Sequence, residues 1–179
     1  MSFNQPVEDA LMKHVLPMLA LAVSMGLSAS VAHAADTTSA TDRAFIAMVS
    51  QGGMFEVNAG QLAADQGDKQ DIKDQGVTEA HDHKLVGDKL KSIASDAGVT
   101  FPDSLNPTFQ KQLDDLKALS GKAFDMAYLK DMELIHAKDG AAFAKEAASG
   151  SNPKLKAFAA ETHRIVVRHI GELKALGAS

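Results

Sequence analysis

Glu56, His83, His136 and His169 each stand on the apolar stripe of a separate helix-patterned segment, one to a segment. Stripes of this kind are otherwise filled by Leu, Ile, Ala and Phe. A carboxylate or imidazole taken out of water is costly unless it finds a partner. Four such groups on four helices can partner one another across a bundle core, where metal sites of helical bundles are also built. Imidazole with carboxylate is a ligand set for iron, manganese, zinc or copper, and residue types alone do not choose between them. The rival reading is a metal-free hydrogen-bond network made from the same four groups.

A second layer surrounds these residues. Glu133-Leu134-Ile135-His136 is a Glu-x-x-His pair, which puts a carboxylate and an imidazole on one helical face, so Glu133 joins the candidate ligands. A dinuclear oxidoreductase centre needs that pair twice, and the second segment offers only Glu79-x-x-x-His83. Glu79 lies one turn before His83, and Glu172 lies three residues past His169. Asp82 and Asp131 are placed to orient imidazoles from outside. His81 and His163 fall off the stripes and read as solvated. Met126 and Met132 near His136, and Met48 and Met54 near Glu56, would suit copper(I), although methionine at helical spacing is commonly core filler.

Other chemistry is missing from the sequence. With no cysteine, the chain has no disulfide, iron–sulfur cluster or thiolate zinc site. It carries no Gly-rich phosphate loop, no Gly-x-Ser-x-Gly elbow and no His-Glu-x-x-His helix. A net charge of −5 without a basic stripe argues against nucleic acid as a partner. No reaction follows from these residues.

The elements that must hold the candidates are helices. The first is predicted from Thr41 to about Gln66, with Phe45, Met48, Val49, Gly52, Glu56, Ala59 and Ala63 at three- and four-residue spacing. Its glycines weaken it by roughly 1 kcal/mol each unless a neighbouring helix comes close. The second runs from about Lys69 to Ala97 and ends on Gly98, a helix C-terminal glycine. Thr108 to Leu119 is a short amphipathic helix. The third long helix spans about Lys122 to Ala148. The fourth opens on the Asn152 cap with Pro153 at its first position and reaches about Leu176.

The fold class is therefore all-α. The stretch from Gly98 to Gly121 is long enough to run back along the bundle, which would leave the second and third long helices parallel. That is the ferritin-like four-helix bundle, with one long crossover carrying a short extra helix; the alternative is a plain up-down-up-down bundle with an excursion. In the crossover topology all four candidate groups fall in one slab of the core.

Lys13 and His14 precede an apolar run from Val15 to Ala29, and Ala32-His33-Ala34 follows as a cleavage site. Residues 1–34 are expected to be a signal peptide cleaved after Ala34, leaving a periplasmic protein with no stable membrane span. Glu8 and Asp9 are foreign to such a leader, so translation is expected to start at Met12. Residues 35–43 read as a flexible lead-in and 44–177 as the bundle domain.

Several segments together resemble a known family. They are Gly52-Gly53-Met54-Phe55-Glu56-Val57 with Gly60-Gln61-Leu62-Ala63, Asp82-His83, Gly98-Val99 with Pro102, and Leu119-Ser120-Gly121 through Phe124-Asp125 and Tyr128. Asn152-Pro153 through Phe158-Ala159, and His169, complete the pattern. The chain is similar over about 44–176 to the domain-of-unknown-function 4142 family, exported bacterial proteins often labelled outer membrane proteins. The resemblance implies a ferritin-like fold and no settled activity. It implies functional positions at Glu56, Asp82-His83, His136 and His169. Two departures stand out. Ile135 replaces a usual acidic residue before His136, which removes an expected partner for that imidazole. His163-Arg164 replaces a common Leu-Pro, which would straighten the last helix.

Overall fold

The computed structural model describes residues 37–177, and all of its regular structure there is helical. The expected leader and its Met12 start lie outside the described residues. Four long helices, α1 (Ala40–Gln66), α2 (Gln70–Asp96), α4 (Gly121–Ser149) and α5 (Pro153–Gly177), are joined by short turns within the pairs α1–α2 and α4–α5. The short α3 (Pro107–Lys117) lies in the long connection between the pairs. The bounds differ from the sequence expectation by a residue or two. No described helix is long and apolar enough to cross a membrane.

Caps and turns fall where residue chemistry demands them. Ser39 caps α1, its hydroxyl accepting from the Asp42 amide while the Asp42 carboxylate accepts from the Ser39 amide. This reciprocal cap starts the helix at Ala40, within the span 35–43 read as a lead-in. Asp42 is fully buried and also accepts from the Ser151 and Asn152 amides, tying the α4–α5 turn to the start of α1. Asp125 does the same at the other end, accepting from the Asp68 and Lys69 amides in the α1–α2 turn. Asn152 caps α5 ahead of Pro153, as its sequence implies. Gly98 has a φ of +62°, the left-handed conformation that ends a helix cheaply only in glycine. Through His163-Arg164, α5 runs unbroken.

The core divides into two apolar layers. One gathers Phe45, Ile46 and Val49 from the start of α1, Leu90 and Ile93 from the end of α2, Phe143 from the end of α4, and Leu155 and Phe158 from the start of α5. The other gathers Phe55, Ala59 and Ala63 from the end of α1, Ile72 from the start of α2, and Phe124, Tyr128 and Met132 from the start of α4. Leu173 of α5 and Leu113 and Leu116 of α3 close it. Every buried candidate group lies in sequence between residues of these two layers.

Glycine sets the spacing of α1 and α2. A Cβ on Gly60 would meet the Gly76 carbonyl oxygen and the Ala80 amide nitrogen, both at 2.8 Å. The close approach that the glycine-rich first helix calls for therefore occurs at Gly60, opposite Gly76. Gly52 instead makes room for the Asp139 carboxylate, and Gly53 faces open space.

Glu146 near the end of α4 gives this fold a measurable pH response. Burial, then its hydrogen bond to Asp42 and that group's charge, push its carboxyl up to about 7 from 4.5, and its Oε1 has no partner. Between those values the folded chain holds a proton that the unfolded chain has released, so stability falls as pH rises from about 4.5 to 7. Glu146→Gln keeps the shape without needing the proton. Thermal melts should show it gaining on the wild type at pH 8 relative to pH 5. Parallel pH curves would contradict this reading.

Candidate metal centre

Between the apolar layers, α2 supplies Glu79 and His83 one turn apart, α4 supplies His136, and α5 supplies His169. All four side chains are buried, and each offers one ligand atom within 4.8 Å of the others. The imidazole centroids form a nearly equilateral triangle with sides of 5.3, 5.3 and 5.4 Å. Glu79 lies against it: His83 Nε2 is 3.1 Å from Glu79 Oε2, His169 Nδ1 is 3.2 Å from the same oxygen, and His136 Nε2 is 3.4 Å from Oε1. His136 Nε2 and His169 Nδ1 are 3.3 Å apart.

Each imidazole is held from outside by its other nitrogen. His83 Nδ1 lies 2.9 Å from Glu56 Oε2 on α1. His136 Nδ1 lies 2.9 Å from the Met132 carbonyl oxygen one turn back. His169 Nε2 lies 3.1 Å from Asp82 Oδ2, a carboxylate that also pairs with Arg168. Arg168 itself comes within 3.0 Å of His169 Nε2. Once a ring is neutral, an N–H donated outward to Glu56, the Met132 carbonyl or Asp82 leaves its inward nitrogen with a lone pair. Three lone pairs and one carboxylate then face a common point.

The unsatisfied atoms carry the same message. His83 Nε2 and Glu79 Oε2 have no hydrogen-bond partner, although they lie at hydrogen-bond distance from each other. They are misaligned for a mutual bond. A tetrahedral ion with bonds of about 2.1 Å keeps its ligand atoms roughly 3.4 Å apart. The shorter separations here, 3.1 to 3.4 Å, match that spacing.

Glu79 is held in turn by Gln75 Nε2, which donates to its Oε1 at 2.8 Å, and Tyr128 OH donates to Gln75 Oε1 at 3.1 Å. The charges are strongly linked. Burial opposes an imidazolium at His83, but Glu56 and then Glu79 outweigh it and push its pKa up to about 10. Burial likewise opposes a charge on His136, and the hydrogen bond to Glu79 outweighs it, so that pKa is also raised. Burial opposes ionisation of Glu79, but contacts from His136, His169 and His83 hold it well below the usual carboxylate range. Asp139, buried beside Gly52, is pushed up to about 7 by burial and by the Glu56 charge.

Residues 27–176 match the family model described as Domain of unknown function (DUF4142). The chain belongs to the DUF4142 family. Neither a curated protein nor a solved structure matches it.

Within this DUF4142 domain the sequence-derived candidates divide. His83, His136 and His169 converge. Glu56 is buried with them but meets the outer nitrogens, at 2.9 Å from His83 Nδ1 and 3.4 Å from His136 Nδ1. Glu133 needs correcting, because it is exposed and stands off the buried arc of α4 that runs through Met132, Ile135, His136 and Asp139. The carboxylate facing the inward nitrogens is Glu79. Its signal was present in the sequence, since a four-residue spacing keeps two side chains on one helix face as well as a three-residue spacing does.

The outer contacts also sort themselves. Asp82 orients His169 as expected, whereas Asp131 hydrogen-bonds to Gln112 and Glu172 turns to Arg168. His136 takes its outer contact from the Met132 carbonyl, with the apolar Ile135 beside it. His81 is solvated as expected, and His163 is half-buried. Of the methionines near His136, Met132 packs in the apolar layer and Met126 is exposed.

Proposed function

We propose that this DUF4142 domain is an exported, ferritin-like helical bundle that holds one transition-metal ion for storage, buffering or protection of the cell envelope. Glu79, His83, His136 and His169 are the ligands, and Glu56, Asp82 and the Met132 carbonyl orient the imidazoles. The observation that carries the reading is the misaligned pair His83 Nε2 and Glu79 Oε2, buried and unsatisfied at 3.1 Å. An ion between them would satisfy both. The ferritin-like assignment is supported by the two helix pairs, by the long connection carrying α3, and by core layers that join the start of α1 to the end of α2 and the end of α4. That pattern makes α2 and α4 parallel. Export and a periplasmic location rest on the leader-like sequence of residues 1–34.

A metal-free network has one observation in its favour, the balance of two carboxylates, Glu56 and Glu79, against imidazoles with raised pKa. The two readings separate at His83→Leu. In a metal-free network the change strips the buried Glu56 and Glu79 of their shared imidazole, so it should cost about 3 kcal/mol of folding stability, with no response to added metal either before or after it. In the metal reading it abolishes binding. A dinuclear oxidoreductase would need a second carboxylate among the inward nitrogens, and Glu56 faces the outer ones instead.

Metal binding should be strongly pH-dependent. The metal-free His83 titrates at about 10, so an ion must expel its proton at neutral pH. Affinity for a divalent probe such as zinc should rise by at least about tenfold per pH unit from pH 6 to 8. Competition against a chromophoric chelator measures this. An affinity that does not change with pH would contradict an imidazole that must lose its proton to become a ligand.

A further inference from the structure

A cavity of about 210 Å³ opens between α1 and α2, under the segment that follows α2. Its walls are mostly apolar, lined by Val57 and Val86 on the two helices together with Phe101 and Phe143. Gly53 and Gly87 line it, and a Cβ added to either would touch nothing within 4 Å. Glycine inside a helix is unfavourable by roughly 1 kcal/mol relative to Ala. Neither helix packing nor a turn recovers that cost here, since neither residue has a close neighbour or a positive φ. What the two glycines do provide is an open mouth.

The rim is basic. Lys84 is neutralised by Asp88 at 2.7 Å, while Lys91 makes no ion pair among the described residues. A cavity of about 150 Å³ suffices for a benzene-sized guest, so this one accepts a somewhat larger apolar group. From the apolar floor, the open mouth and the spare cation we infer that the cleft binds a small amphipathic carboxylate, its tail against Phe101 and Phe143 and its head at Lys91. His83 is shared between this cleft and the buried cluster. Binding does not depend on the metal reading, because the tail and head contacts involve none of the proposed ligands.

Sodium octanoate is a suitable probe, titrated into the purified chain and followed by amide chemical shifts and calorimetry. Saturable binding is expected, with the largest shifts at Gly53, Gly87 and Phe101, and it should persist in a chelator whether or not metal binding is ever found. Gly87→Phe should fill the mouth and abolish the response, with Gly53→Leu as a second blocking variant should the first lose its fold. Lys91→Ala should weaken binding by about fivefold. 1-Octanol, which has the same tail without the charge, should bind more weakly than octanoate. Octanol binding as tightly as octanoate, shifts absent from Gly53 and Gly87, or full binding by both blocked variants would each overturn the assignment.

Discussion

Glu79→Gln is expected to weaken divalent-metal binding by at least about 100-fold while leaving the helical content intact. Loss of an outer partner to a metal ligand typically costs 10- to 100-fold, and Glu79 is placed as a ligand itself. Among the described residues it is the one carboxylate within 3.1 to 3.4 Å of all three inward nitrogens. Glutamine keeps its volume and can still accept from Gln75, so the packing survives. The metal-free protein should respond as well. The folded-state pKa of His83 lies above its ordinary value of 6.5, so the stabilisation it provides is complete below about 6.5 and is lost as pH rises through about 10. Removing one of its two carboxylate partners should cost about 3 kcal/mol at pH 6 and progressively less toward pH 10. Urea unfolding in the presence of a chelator reads this. Wild-type metal affinity in the variant would remove Glu79 from the site.

Gly76→Ala should be the most damaging single methyl group in the bundle. Its Cβ would lie 2.5 Å from the Gly60 carbonyl oxygen, 2.7 Å from the Ala64 amide nitrogen and 2.8 Å from the Ala63 Cβ. None of these atoms can swing aside, so α1 and α2 must move apart. Overpacking of this kind costs about 3 kcal/mol, enough to lower the melting temperature of a domain this size by on the order of 10 °C. The displacement also draws Glu56 on α1 away from His83 on α2, so the metal site should suffer with the fold. Gly53→Ala is the matched control. With nothing within 4 Å of its Cβ, it should gain roughly 1 kcal/mol from helix propensity. Equal melting temperatures for the two variants would show that the helices do not depend on this contact.

The helices were legible in the sequence because three- and four-residue spacing is a local property, and Asn152-Pro153 and Gly98 marked ends that chemistry enforces. His83, His136 and His169 were legible for a related reason. An imidazole on an apolar stripe points to the core wherever the helix goes. The choice between Glu56, Glu79 and Glu133 was less accessible, because it depends on the rotation of each helix about its axis, which neighbouring helices fix. Glu133 matched a spacing rule yet faces water, since the buried arc of α4 is set by Tyr128, Met132 and Phe143. Gly76 was visible as a small residue, but only the approach of Gly60 from another helix explains it.

Zinc-edge X-ray absorption tests the central claim most directly, on protein purified without a histidine tag and loaded with one equivalent of zinc. The expected spectrum has a first shell of nitrogen and oxygen at about 2.0–2.1 Å, with the outer-shell scattering of three imidazoles. Loss of one imidazole's share in His169→Ala should accompany it. A first shell with one imidazole or none, or a wild-type spectrum in His169→Ala, would contradict a shared centre at the heart of the bundle.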